Sequence, residues 1–106
     1  MSRATKMQSR SIGESKLFIK NLNSYFQYKE KSMEDVLHAK IKYQTIINKV
    51  VEISKMLNFT SQKVNYRNSK NLYYFVFQKH HILFKLTPTH LQLMYFVASK
   101  RIKKTL

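Results

Sequence analysis

Between Ser15 and Leu57 one face recurs at alternating steps of four and three residues: Ser15, Ile19, Leu22, Phe26, Lys29, Met33, Val36, Lys40, Tyr43, Ile47, Val50, Ser54 and Leu57. Nine of these thirteen are apolar or aromatic, and a repeat averaging about 3.5 residues keeps one side of an α-helix against a partner. No Gly or Pro lies between Glu14 and Leu57, so nothing in the backbone chemistry interrupts a helix there. A continuous helix over residues 14–58 would measure about 65 Å at a rise of ~1.5 Å per residue, too long to bury its own stripe. Lys29 interrupts the stripe, and Ser32 followed by Glu34 and Asp35 has the form of a helix start. Two helices, 15–30 and 33–57, folded into a hairpin are therefore the alternative. The register crosses the interruption unshifted and no turn residue lies there, so a single rod is expected.

The pattern changes after residue 58. "FTSQKVNYRNSK", residues 59–70, loses apolar periodicity and reads as a linker. Residues 71–106 form an aromatic-rich segment. Leu72 to Gln78 and Ile82 to Leu86 are short runs of aromatic and aliphatic residues with apolar positions on both faces, the local signature of two buried strands. Their junction, Lys79-His80-His81, lacks the Gly or Asn of a tight hairpin. Thr87-Pro88 then has the character of a helix N-cap and first helical position, and Leu91, Met94, Tyr95, Ala98 and Ile102 share a face at helical spacing. The expected fold class is mainly α: a basic arm over 1–13, a heptad-patterned helix over 14–58, the linker, then a short β-hairpin-like segment and a C-terminal helix.

Composition narrows the function. The formal charge is +15, from 20 Lys and Arg against five acids, and the 54 residues after Glu52 hold ten cations and no acid. Such a field attracts nucleic acid, anionic lipid and acidic protein alike. The candidate anion-binding residues are Arg3, Lys6 and Arg10 in the arm, Lys63, Arg67 and Lys70 in the linker, and Lys100, Arg101, Lys103 and Lys104 at the terminus. Tyr66, Tyr73 and Tyr74 are available to stack on bases. The candidate oligomerisation face is Leu22, Phe26, Met33, Val36, Tyr43, Ile47, Val50 and Leu57.

Enzymatic chemistry finds no foothold in the pattern. The acids lie in or beside the heptad stretch, Cys is absent, and the single Gly excludes familiar phosphate-cradling loops. His80 and His81 would point to opposite faces of a strand, so no metal ligand set is expected, nor a catalytic residue or cofactor. Lys79 and Lys85 cut the most apolar stretch, so no transmembrane segment is expected. Without an apolar leader in residues 1–10, a cytoplasmic product is expected, peripheral to a membrane or, alternatively, nuclear.

The stretch "LNSYFQYKEKSMEDVLHAKIKYQ", residues 22–44, resembles a helix of a BAR domain of the sorting-nexin kind. The resemblance covers under half of the chain and includes no diagnostic motif; generic coiled-coil patterning accounts for the same residues. It implies dimerisation through Phe26, Met33, Val36, Tyr43, Ile47 and Val50, with Lys20, Lys31, Lys42 and Lys49 facing an anionic surface. The leading expectation is a non-enzymatic scaffold or adaptor, a homodimer or one bound to a helical protein partner, on an anionic membrane. The alternative is a small nucleic-acid-binding protein. A third reading, an alternative terminus joined to a helical fragment, expects residues 71–99 to be poorly packed and apolar on their surface.

Overall fold

The computed structural model describes residues 10–29 and 33–102. Its elements run β1 (Ser11–Glu14), α1 (Lys16–Lys29), α2 (Met33–Ser54), β2 (Val64–Tyr66), β3 (Ser69–Phe77), β4 (His80–Leu86), β5 (His90–Ala98) and a single 3-10 turn, Ser99–Arg101. The strands form one mixed sheet in the order β1-β5-β4-β3-β2, with β1 parallel to β5 and every other pair antiparallel. The described residues form an α/β architecture of two α-helices and five strands, which overturns the expectation of a mainly α chain.

Two parts of that expectation fail for identifiable reasons. The continuous rod is replaced by separate helices, because a better surface for their apolar residues exists within the chain. Phe18, Leu22 and Phe26 of α1 and Ala39, Ile46, Val50 and Ile53 of α2 share one core with Ile82, Phe84, Leu91, Leu93 and Phe96 of the sheet. The residues that the two helices bury in this core are not the 3.5-residue seam, and only Leu22 and Phe26 of α1 and Val50 of α2 belong to both. The proposed cap, Ser32, lies outside the described residues.

The C-terminal helix is replaced by β5. "HLQLMYFVA" is so apolar that helical and strand spacings both fit it, a run that periodicity alone cannot assign. Pairing decides the outcome. Without β5, one edge of β4 would have no antiparallel partner, and buried backbone groups must be hydrogen-bonded. In the sheet, Leu86 pairs with Leu91 and Phe84 with Leu93, and after a bulge Leu83 pairs with Tyr95. The bulge switches the faces, so Leu91, Leu93 and Phe96 meet the helices while Tyr95 and Val97 turn to the other side. Thr87 does accept bonds, but as a turn residue: its Oγ1 receives the N–H of His90 at 3.0 Å, and its own N–H donates to the His90 carbonyl at 2.9 Å.

Local chemistry joins the layers. Ser15 ends the β1–β5 ladder, its N–H donating to the Leu93 carbonyl at 2.9 Å. Its hydroxyl also accepts the Phe18 N–H at 3.0 Å, capping α1. One residue thus turns the chain from strand to helix. The central strand β4 buries His81, Ile82, Leu83 and Phe84 in succession, as a strand covered on both faces must. On the face opposite the shared core, helix-free apart from Leu17 at the start of α1, β2 and the start of β3 cover Tyr95: Tyr66 meets it edge-on at 4.9 Å and the Ser69 hydroxyl lies 3.0 Å from its phenol. Asn71, with φ of 57°, lies in this part of β3 and donates its N–H to Asn65 Oδ1 at 2.9 Å.

The aromatic C-terminal half is therefore not a loosely packed tail. Tyr73, Phe75 and Phe77 pack against the helix-facing core, and residues 59–70 supply β2 and part of β3. Likewise residues 11–13, counted in the basic arm, belong to β1.

The β3–β4 connection is a two-residue turn, Gln78-Lys79, between the paired Phe77 and His80, with φ of 46° and 65°. Both central residues are left-handed, as a type I′ turn requires, and neither is the Asn or Gly that takes this conformation at least cost. Gln78→Asn combined with Lys79→Gly is expected to stabilise the fold by about 1 kcal/mol. Thermal unfolding should show this as a midpoint roughly 4–8 °C higher.

Candidate polyanion interface

Acidic charge is confined, among the described residues, to β1 and α2. Of the described acids, Glu14 ends β1, Glu34 and Asp35 open α2, and Glu52 lies in its last turns, where Lys49 pairs with it at 3.5 Å. Strands β2 to β5, with their turns and the 3-10 turn, contain no acid. Every charged side chain on that side of the fold is a cation.

The sheet gathers these cations at its ends. At one end the N–H of Ser99 donates to the Lys79 carbonyl at 2.8 Å, joining the 3-10 turn to the β3–β4 turn. This places the exposed Lys100 and Arg101 beside the exposed Lys79. Beneath them, His81 holds Ser99 through an Nδ1–Oγ contact of 2.8 Å and stacks on Tyr74 at 4.6 Å. His81 is buried, so this support is fixed by packing rather than by solvent-exposed contacts. Lys79 has no signal in the sequence for this role: it lies twenty residues before Ser99, and only the antiparallel return of β5 closes that distance.

A second group lies on the β2–β3 hairpin. Arg67, in its turn with φ of 55°, sets its guanidinium 5.7 Å from the Tyr66 ring centroid, and the exposed Lys70 follows in β3. Tyr66 and Tyr74 pack on the same cluster, which Leu17 at the start of α1 also touches. Tyr73, adjacent in sequence to Tyr74, projects to the opposite face, where it packs with Phe59 and Phe84 beneath the Lys63 ammonium, 4.9 Å from its ring. The three tyrosines expected to stack on bases are thus divided between faces, and Lys63 accompanies Tyr73. Toward the β4–β5 turn, Lys85 pairs with Gln92 on the face opposite the shared core.

Arg10 has a different task. Its Nε donates to the Thr87 carbonyl at 2.6 Å, and its Nη1 donates to Met56 at 2.6 Å and, more weakly, to Ser54 at 3.4 Å. The guanidinium satisfies carbonyls at the end of α2 and in the β4–β5 turn, a favourable place for a cation at a helix C-terminus. Arg3, Lys6, Lys103 and Lys104 lie outside the described residues.

The anticipated oligomerisation face is also divided. Leu22, Phe26 and Val50 are buried within the chain, Val36 and Ile47 are half-buried, and Met33, Tyr43 and Leu57 are exposed. Although Tyr43 is 40% exposed, partial desolvation and, secondarily, the Glu14 carboxylate push its phenol above the ordinary pKa. His80 and His81 diverge: His80 stacks on Phe96 at 4.6 Å toward the helices, and His81 faces the other way. No helix among the described residues is long and apolar enough to cross a membrane.

Arg10→Ala should lower stability by roughly 2 kcal/mol, because a charged donor to the part-buried Ser54 and Met56 carbonyls and the exposed Thr87 carbonyl is lost. Denaturant unfolding will show this as a lower midpoint with an unchanged slope. No known protein family, curated protein or solved structure matches this chain.

Proposed function

We propose that this protein is a non-enzymatic module that binds nucleic acid, preferentially single-stranded, across the helix-free side of its sheet. The observation that carries the reading is the complete absence of acids from β2 to Arg101, together with the gathering of Lys79, Lys100 and Arg101 at one end of the sheet and Arg67 and Lys70 on the β2–β3 hairpin. Phosphates track a line of cations without sequence preference, and half-buried aromatic rings beside that line offer stacking platforms. Tyr66 meets that description, with Arg67 over its ring and Tyr95 behind it. Tyr74 flanks it on the same apolar cluster.

An acidic membrane attracts the same cations. The membrane scaffold was expected from a long rod with a continuous seam, and the helices instead pack on the sheet. The aromatic-and-cation pairing at Tyr66 favours bases over lipid headgroups.

Affinity for an unstructured oligonucleotide should fall with salt by a log-log slope of about −0.7 per neutralised phosphate. Replacing Lys79, Lys100 and Arg101 by Ala should flatten the slope by about 0.7 for each cation removed. Tyr66→Ala should cost about 1–3 kcal/mol of affinity with the slope unchanged, the mark of a lost stack. Fluorescence anisotropy with the oligonucleotide, competed by acidic liposomes, decides the matter. Liposome binding without oligonucleotide binding rejects the proposal in favour of a membrane surface.

A further inference from the structure

A groove beyond the end of α2 gathers polar groups that the fold leaves unused. It has a volume of about 270 Å³ and lies where Arg10, the residues after α2 and the β4–β5 turn meet. The Arg10 guanidinium lines it while only partly engaged: Nε and Nη1 donate to the carbonyls of Thr87, Met56 and Ser54, and Nη2 has no partner among the described residues. Asn58 and Thr60, both exposed, also line the groove, and their side chains make no hydrogen bond among the described residues. No acid lines it.

The aromatic part of the lining is held in place by the core. Phe59 is half-buried, with its ring tilted against Phe84 at 5.6 Å and against Tyr73 at 5.9 Å. Tyr73 in turn stacks on Phe84 at an interplanar angle of 21°, and the exposed Lys63 sets its ammonium 4.9 Å from the Tyr73 ring centroid. The groove thus combines a guanidinium, an amide, a hydroxyl and a fixed ring, the mixture of a few polar groups with apolar walls that small-molecule sites use. Such sites usually measure about 300–1,000 Å³, so this one fits a single ring with its anionic group and nothing longer. The charge asks for an anion, because Arg10 is offset here only by carbonyl dipoles.

We propose that this groove binds a phosphate monoester carried on a flat ring system, as in a nucleoside monophosphate, free or at the phosphorylated end of a strand. Arg10 Nη2, the Asn58 amide and the Thr60 hydroxyl are separate donors, which suit the three terminal oxygens of a phosphate better than the two of a carboxylate. Lys63 adds attraction from beside Tyr73, and the ring of the ligand lies against Phe59. The carbonyls at the end of α2, which would repel an anion, are already occupied by Arg10. Tyr73 and Phe59 pack against the helix-facing core, so this site stands whether or not the other face of the sheet binds nucleic acid.

Nuclear magnetic resonance of the isotope-labelled full chain tests the site. Adenosine monophosphate should move the Arg10 Nε–H signal and the backbone amides of Asn58, Phe59 and Thr60 saturably, with a Kd on the order of 1 mM or below. Adenosine and inorganic phosphate should each bind at least tenfold more weakly. Asn58→Asp, which sets an acid in the groove at an exposed position, should weaken the mononucleotide at least tenfold with an unchanged unfolding midpoint. Phe59→Leu, which keeps apolar bulk and removes the ring, should bring the mononucleotide down to the affinity of phosphate. A short oligonucleotide with a phosphorylated end identifies a strand as the source if it moves the same signals and its unphosphorylated form does not; movement by the mononucleotide alone identifies the free nucleotide. Signals that stay still to about 10 mM mononucleotide overturn the proposal. So does equal binding of adenosine or phosphate alone, or binding indifferent to Asn58→Asp. Movement confined to Tyr66 and Tyr74 overturns this site and leaves the nucleic-acid reading of the other face intact.

Discussion

The fold depends on covering one face of an aromatic sheet. Ile82, Phe84, Leu91, Leu93 and Phe96 form an apolar surface that no single helix of ordinary length can shelter, and α1 and α2 lie over it together. Each large side chain buried there contributes about 1.5–3 kcal/mol relative to exposure. Edge-to-face contacts such as Phe18 with Phe96, at 6.4 Å and 90°, set the fit of the layers. A rod projecting into water, with its seam awaiting another molecule, would leave this surface uncovered, so the helices are two and the sheet holds them.

Covering that face also sorts the charge. Of the described acids, Glu34, Asp35 and Glu52 lie in α2 and Glu14 in β1, whereas β2 to β5 and their turns carry cations alone. The asymmetry arises from topology: both halves of the chain are net cationic, but every acid lies in the early half, which folds over a late half that has none. Cations distant along the chain then become neighbours, as Lys79 and Lys100 do through the Ser99–Lys79 backbone bond. The same packing withdraws Arg10 to the seam between α2 and the β4–β5 turn, where it caps carbonyls.

Two local features show how the fold overrides residue preference. Gln78 and Lys79 hold left-handed conformations that neither favours, because the pairing of Phe77 with His80 leaves exactly two residues to reverse the chain. Leu91, Met94, Tyr95 and Ala98 have helical spacing, yet form β5, since the backbone of β4 requires a neighbour and the bulge at Met94 lets an almost wholly apolar strand bury both of its faces.

Much was legible in the residues alone. The helical content of 16–29 and 33–54 follows from an uninterrupted periodic stretch without Gly or Pro. The strands at 72–77 and 82–86 follow from short aromatic and aliphatic runs, and the cationic character of the second half from a simple count. Periodicity is a property of neighbours within a few residues, and it reports which segments are amphipathic but not which surface they meet. Whether the helical stripe faces a second rod or a sheet, whether residues 90–98 are helix or strand, and which lysines stand together are settled by contacts across tens of residues. Tertiary structure decided them because buried backbone must be paired and apolar faces must be covered, and both conditions are met only by the chain as a whole.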